Sequence, residues 1–75
     1  MLISKTLTQA INQQIANEFG ASLQYIGIAG YFHKENLTLL AKLFFDQAEE
    51  EKEHAMKFVH YVLETNGELQ IPAVA

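Results

Sequence analysis

AEEEKEHAMKF, residues 48–58, sets four glutamates and a histidine into six positions and then turns apolar. A run of acid in a small protein is ordinarily a solvated helix face. Glu49, Glu53 and Lys57, with Glu64 further on, fit that description, Glu53 and Lys57 at the i,i+4 spacing that supports an exposed helix. Glu51 does not fit it. Around it the second half of the chain repeats at Leu37, Leu40, Phe44, Ala48, Glu51, Ala55, Phe58 and Val62. Those steps of three and four trace one face of a helix, and Glu51 falls where that face calls for a hydrophobic residue. His54 stands one turn on, at the edge of the same stripe.

The first half has the same period, at Leu7, Ile11, Ile15, Ser22, Tyr25, Ala29 and Phe32. Thr6 with Gln9 reads as a capping box for its start, and Ser4 as a competing cap. His33-Lys34-Glu35-Asn36 interrupts the pattern, with Asn36 a candidate N-cap for the second helix. Asn66-Gly67 stops that helix, Gly67 being suited to the left-handed residue after its last turn. The tail ELQIPAVA carries Pro72 and reads as extended. The expectation is a single all-α unit over 1–75. It is a long antiparallel αα-hairpin with helices at about 5–33 and about 37–66 and an extended tail over 68–75. Helices of about 28–30 residues are about 42–45 Å long and belong to up-down bundles.

Glu18 is the second acid in an apolar stripe. By helical geometry Leu7, Ile11, Ser22, Tyr25 and Ala29 surround it within about 40°. It lies 17 residues before a turn centred near residue 35, and Glu51 and His54 lie 16 and 19 after it. An antiparallel hairpin therefore brings the three level on its inner face. An unpaired buried carboxylate costs several kcal/mol, so something must compensate it. One Glu from one helix and Glu-x-x-His from its neighbour make half of the dinuclear carboxylate site built inside some four-helix bundles. Two copies give four Glu and two His, a ligand set suited to iron or manganese, with zinc able to substitute.

The chain has 75 residues, 49% hydrophobic, with one proline and a net charge of −4. The acidic balance argues against nucleic acid or an anionic membrane as partner and is compatible with cations. Without cysteine there is no disulfide framework, zinc–thiolate site or thiol nucleophile. MLISKTLTQA lacks the apolar core of a signal peptide and no run approaches a membrane span, so the expected location is cytoplasmic. A hairpin this short buries little core by itself and gains from a metal or from oligomerisation.

NQQIANEFGASLQYIGIAGYF around Glu18, AKLFFDQAEEEKEHAMKFVHYV around Glu51 and His54, and NGELQIPAV after the second helix resemble bacterial non-haem ferritin. The resemblance runs over essentially the whole chain but covers only the first two helices of that family's bundle. It implies that this hairpin is half of a ferritin-like four-helix bundle, completed by a second chain or by a missing half. It also implies oxidation of Fe(II) at a di-iron centre, as in a ferroxidase, with iron storage in a homo-oligomer that is at least a dimer or a large shell. Glu18 is then the terminal carboxylate from the first helix, Glu51 bridges two metals and His54 binds one through a ring nitrogen. Tyr25, two turns from Glu18, matches the tyrosine beside that centre, its alternative being a core tyrosine with its hydroxyl satisfied. Glu50 matches an acidic position of an accessory iron site. Lys52 stands where bacterioferritins carry the methionine that binds haem between subunits, so no haem is expected.

Two other readings stay open at this point. One is a di-metal enzyme reducing peroxide or oxygen on the same scaffold, disfavoured by the absence of rubredoxin-type cysteines to supply electrons. The other is a truncated half that is structural only and binds no metal. His33 and His60 read as surface residues. Ala16, Gly20, Leu23, Gly27 and Tyr31 give the back of the first helix small residues that permit another helix to approach; ferritin shells pair subunits across this surface.

Overall fold

The computed structural model describes residues 3–75, so the first two positions of the expected unit lie outside the described residues. Helix α1 spans Lys5–Lys34 and helix α2 spans Thr38–Glu64. They pack as an antiparallel hairpin, and residues 67–75 carry neither helix nor strand. Among the described residues no helix is long and apolar enough to cross a membrane.

The caps differ from the expected ones at three positions. Ser4 opens α1, its Oγ accepting the Leu7 N–H at 3.1 Å, so the Thr6–Gln9 box is not the cap. Asn36 is not the N-cap of α2; Leu37 is, with no side-chain cap bond. Asn36 instead takes φ 61° and closes α1. Its N–H donates to His33 O at 3.0 Å and that of Leu37 to Phe32 O at 2.9 Å, which satisfies carbonyls the helix end would leave bare. The end of α2 repeats the motif. Asn66 has φ 58°, its N–H reaches Leu63 O at 3.3 Å, and the Gly67 N–H reaches Val62 O at 2.8 Å. Asparagine tolerates the left-handed region well enough to serve both ends.

Gly67 is therefore needed for space and not for its φ. A Cβ there would lie 2.9 Å from Ile3 Cγ2, 3.0 Å from Val62 Cγ1 and 3.2 Å from Thr8 Oγ1. Val62 is fully buried and has nowhere to yield. Gly67→Ala is expected to lower stability by about 1–3 kcal/mol, the cost of overpacking, read from thermal melts monitored by circular dichroism.

Burial follows a seven-residue repeat on both helices. Thr8, Ile15, Ser22 and Ala29 on α1, and Ala41, Ala48, Ala55 and Val62 on α2, are buried. These small and medium side chains let the helices approach closely, and the Ser22 hydroxyl donates across to Ala48 O at 2.8 Å. Three positions after each comes a half-buried row. It holds Ile11, Glu18, Tyr25 and Phe32 on α1, and Phe44, Glu51 and Phe58 on α2. An aliphatic core of Ile15, Ala55, Val59 and Val62, flanked by Ile11, Phe19, Phe58 and Leu69, fills the open end of the hairpin. Towards the turn, Phe44 stacks on Tyr25 and Phe32, with ring centroids 5.9 and 5.6 Å away. The two acids lie between these clusters.

The tail is tied to the back of α1. Buried Asn12 donates from Nδ2 to Glu68 O at 2.9 Å and accepts the Gln70 N–H on Oδ1 at 3.2 Å, so one side chain replaces two strand-like backbone partners. The Val74 side chain lies 3.3 Å from where a Cβ on Gly20 would stand. This corrects part of the expectation for that surface. Ala16 is buried, and Gly20 lies under the chain's own tail, whereas Gly27 is open.

Candidate metal centre

Glu18 lies close to the middle of α1 and Glu51 at the middle of α2. Both belong to the half-buried row, so their side chains leave the seam between the helices on its open side. The antiparallel packing sets them level, and His54, one turn beyond Glu51, closes the group. One donor atom from each of Glu18, Glu51 and His54 lies within 4.8 Å of the others.

The geometry is nearly symmetric about the histidine. His54 Nδ1 is 3.8 Å from Glu18 Oε2 and 3.8 Å from Glu51 Oε2. The other oxygen of each carboxylate is held by a glutamine four residues earlier. Gln14 Nε2 donates to Glu18 Oε1 at 3.0 Å, and Gln47 Nε2 donates to Glu51 Oε1 at 3.3 Å. The amides thus fix the orientation of both carboxylates and turn one oxygen of each toward the imidazole. A gap of 3.8 Å is too long for a hydrogen bond. It suits a cation, because donors each about 2.0–2.2 Å from one ion stand about 3–4 Å from one another. The set of two carboxylates and an imidazole is the chemistry that iron, manganese or zinc accepts.

Electrostatics show what the site does without a cation. The Glu18 and Glu51 side chains are only 16% and 17% exposed, and that of His54 is 51% exposed. Glu18 is raised above the usual carboxylate range, first by its hydrogen bond with Glu51 and then by burial. Glu51 is lowered, chiefly by the same hydrogen bond. Glu18 therefore holds its proton to higher pH than Glu51 does. The two effects oppose each other in stability. The Glu18 contribution is complete below its unfolded value and is lost as pH rises through its raised folded value. That of Glu51 is present above its unfolded value and is lost as pH falls through its lowered one. A cation needs both groups ionised, so its binding competes with the proton that Glu18 holds more tightly. Metal affinity is expected to weaken with falling pH from a point above ordinary carboxylate titration. Zinc titrations at a series of pH values check this, and the part of the dependence that disappears in Glu18→Gln belongs to that proton.

The remaining candidates sit apart. Tyr25 is half-buried in the same row as Glu18, seven residues on, with its ring on Phe44. Glu50 is exposed and is not one of the three converging donors. His33 and His60 are exposed, as is Lys52. The i,i+4 ion pair found on α2 is Lys42–Asp46 at 2.7 Å, between exposed side chains. Gln14 and Gln47 escape a reading of the sequence, although their shared spacing of four before each inward Glu is a signal that could mark them.

Comparison with known proteins gives concordant results. The family whose description is ferritin-like domain matches residues 8–75. Ferritin BfrB of Mycobacterium tuberculosis (strain CDC 1551 / Oshkosh) is 48% identical over 71 residues, covering 93% of this chain and 39% of the relative. The ferritin heavy chain of Trichoplusia ni is 46% identical over 67 residues, 87% of this chain and 31% of the relative. The bacterial non-heme ferritin of Staphylococcus aureus (strain USA300) is 32% identical over 74 residues, 99% of this chain and 45% of the relative. The chain thus spans less than half the length of each of these relatives.

Proposed function

This chain belongs to the ferritin-like family, and on that premise we propose that Glu18, Glu51 and His54 bind Fe(II) as half of a dinuclear centre that oxidises it to Fe(III) for storage. The observation that carries the reading is the convergence of three donors from two helices at one height, the two carboxylates inside rows that are otherwise apolar. Two partly desolvated carboxylates are tolerated there because a divalent cation offsets their charge.

Each residue has a part. Glu18 is the terminal carboxylate, presented by Gln14. Glu51, presented by Gln47, would be the carboxylate shared between two ions. His54 supplies Nδ1, the nitrogen that faces both carboxylates. Tyr25, seven residues along the row from Glu18, would serve the same chemistry, and Glu50 would provide an accessory acid on the outer side. Fe(II) is the substrate; it gives up one electron to oxygen or peroxide, and the chain supplies the ligands that hold it. The net charge of −4 draws cations toward the surface.

Fe(II) added in air to the purified protein should yield ferric absorbance faster than Fe(II) in buffer alone. A rate equal to that of buffer would end the proposal and leave a hairpin that is structural only.

A further inference from the structure

We propose that Asn66-Gly67 is a site of spontaneous covalent modification, in which the Gly67 backbone nitrogen displaces ammonia from the Asn66 side chain, and that the folded end of α2 holds this reaction in check. The inference is independent of the metal centre.

Two separate demands of the fold set these residues side by side. The end of α2 needs a residue at φ 58°, which asparagine adopts more readily than most side chains do. The next position must be glycine for lack of room, because a Cβ there would stand 2.9 Å from Ile3 Cγ2 and 3.0 Å from Val62 Cγ1. Each choice is structural. Together they join a carboxamide to a backbone nitrogen that no side chain shields.

The chemistry needs only these two residues and water. Gly67 N gives its proton to solvent base and attacks Asn66 Cγ. A bond forms between them, the Cγ–Nδ2 bond breaks, and Nδ2 leaves as ammonia. Water then opens the cyclic imide. Attack at Cγ gives aspartate. Attack at the Asn66 main-chain carbonyl carbon gives isoaspartate, whose backbone runs on through Cβ and Cγ. No oxidant or reductant takes part.

The native conformation opposes the first step. The Gly67 N–H donates to Val62 O at 2.8 Å, and Val62 is fully buried, so the attacking nitrogen is pinned with its proton engaged. The tail beyond it is anchored as well, by Asn12 on Glu68 O at 2.9 Å and on the Gln70 N–H at 3.2 Å. Conversion must wait for this end to open, and its rate follows the open fraction. Asn36 is an internal control. It has φ 61°, and the Leu37 N–H donates to Phe32 O at 2.9 Å, the same closure, but the residue after it carries a leucine side chain.

The full chain is incubated at mildly alkaline pH, folded or unfolded in guanidinium chloride at the same temperature, and its peptides are followed by mass spectrometry. Asn66 should convert in both states, at least about 10-fold more slowly in the folded chain. Asn36 should stay intact in both. Asn12→Ala frees the tail without touching either reacting residue. With its helices intact by circular dichroism, it should convert Asn66 at least about 3-fold faster than the folded parent. Equal rates in the folded and unfolded parent would overturn the protection. An unfolded chain that keeps Asn66 intact, or that loses Asn36 as fast, would overturn the site. A parent-like rate in folded Asn12→Ala would overturn the part given to the tail.

Discussion

Glu51→Ala is expected to reduce ferric formation to the rate of buffer and to weaken Fe(II) binding by at least about 100-fold. Losing an outer-sphere partner already costs about 10- to 100-fold in affinity, and Glu51 is proposed as a direct ligand. The same substitution should leave the metal-free fold no less stable. It removes one of two poorly solvated carboxylates and with it the hydrogen bond that raises Glu18. Opposite responses of fold and iron chemistry distinguish a ligand from a structural glutamate. His54→Ala should act in the same direction by about 10-fold or more. Glu49→Ala, on the exposed acidic face, should change neither quantity. Melts by circular dichroism and stopped-flow ferric absorbance on the four proteins make the comparison. Parent-like iron oxidation in both Glu51→Ala and His54→Ala would remove the site assignment.

Ile15→Ala is expected to be the most damaging single substitution to the fold. Ile15 is one of two large side chains with no exposure, and it centres the aliphatic cluster between Ala55, Val59 and Val62. Truncating such a residue costs about 2–5 kcal/mol, through lost burial and the cavity left behind. A domain of this size has about 4–11 kcal/mol in total. The melting temperature should therefore fall by at least about 10 °C. Leu39, 84% exposed in the first turn of α2, provides the contrast. Leu39→Ala should stay within about 0.5 kcal/mol of the parent. Equal losses at the two positions would mean that the core is not where the hairpin places it.

The hairpin is legible in the sequence because its apolar period runs unbroken through both halves and reverses at His33–Asn36. Glu18 and Glu51 stand out for the same reason: period alone marks an acid in an apolar row. Other features depend on geometry that a residue's type does not announce. Asn36 reads as an N-cap and Asn66 as part of a helix stop, yet each absorbs a left-handed turn, at the second site the one expected of Gly67. Asn12 looks like a surface residue, and only the path of the tail shows why it is buried. Gln14 and Gln47 carry no apolar signal, since their work is to orient a carboxylate one turn away.

The seven-residue repeat has one further consequence. A seam whose buried positions recur every seven residues would bury similar side chains if it slid by one repeat. The connection from Lys34 to Thr38 is too short to permit that slide, so the turn itself sets the alignment that brings Glu18 level with Glu51. A slip of one repeat would part them by about 10 Å and strand each carboxylate against Ile11 or Tyr25, or against a phenylalanine. The brevity of the connection is thus what keeps the two acids within reach of one cation.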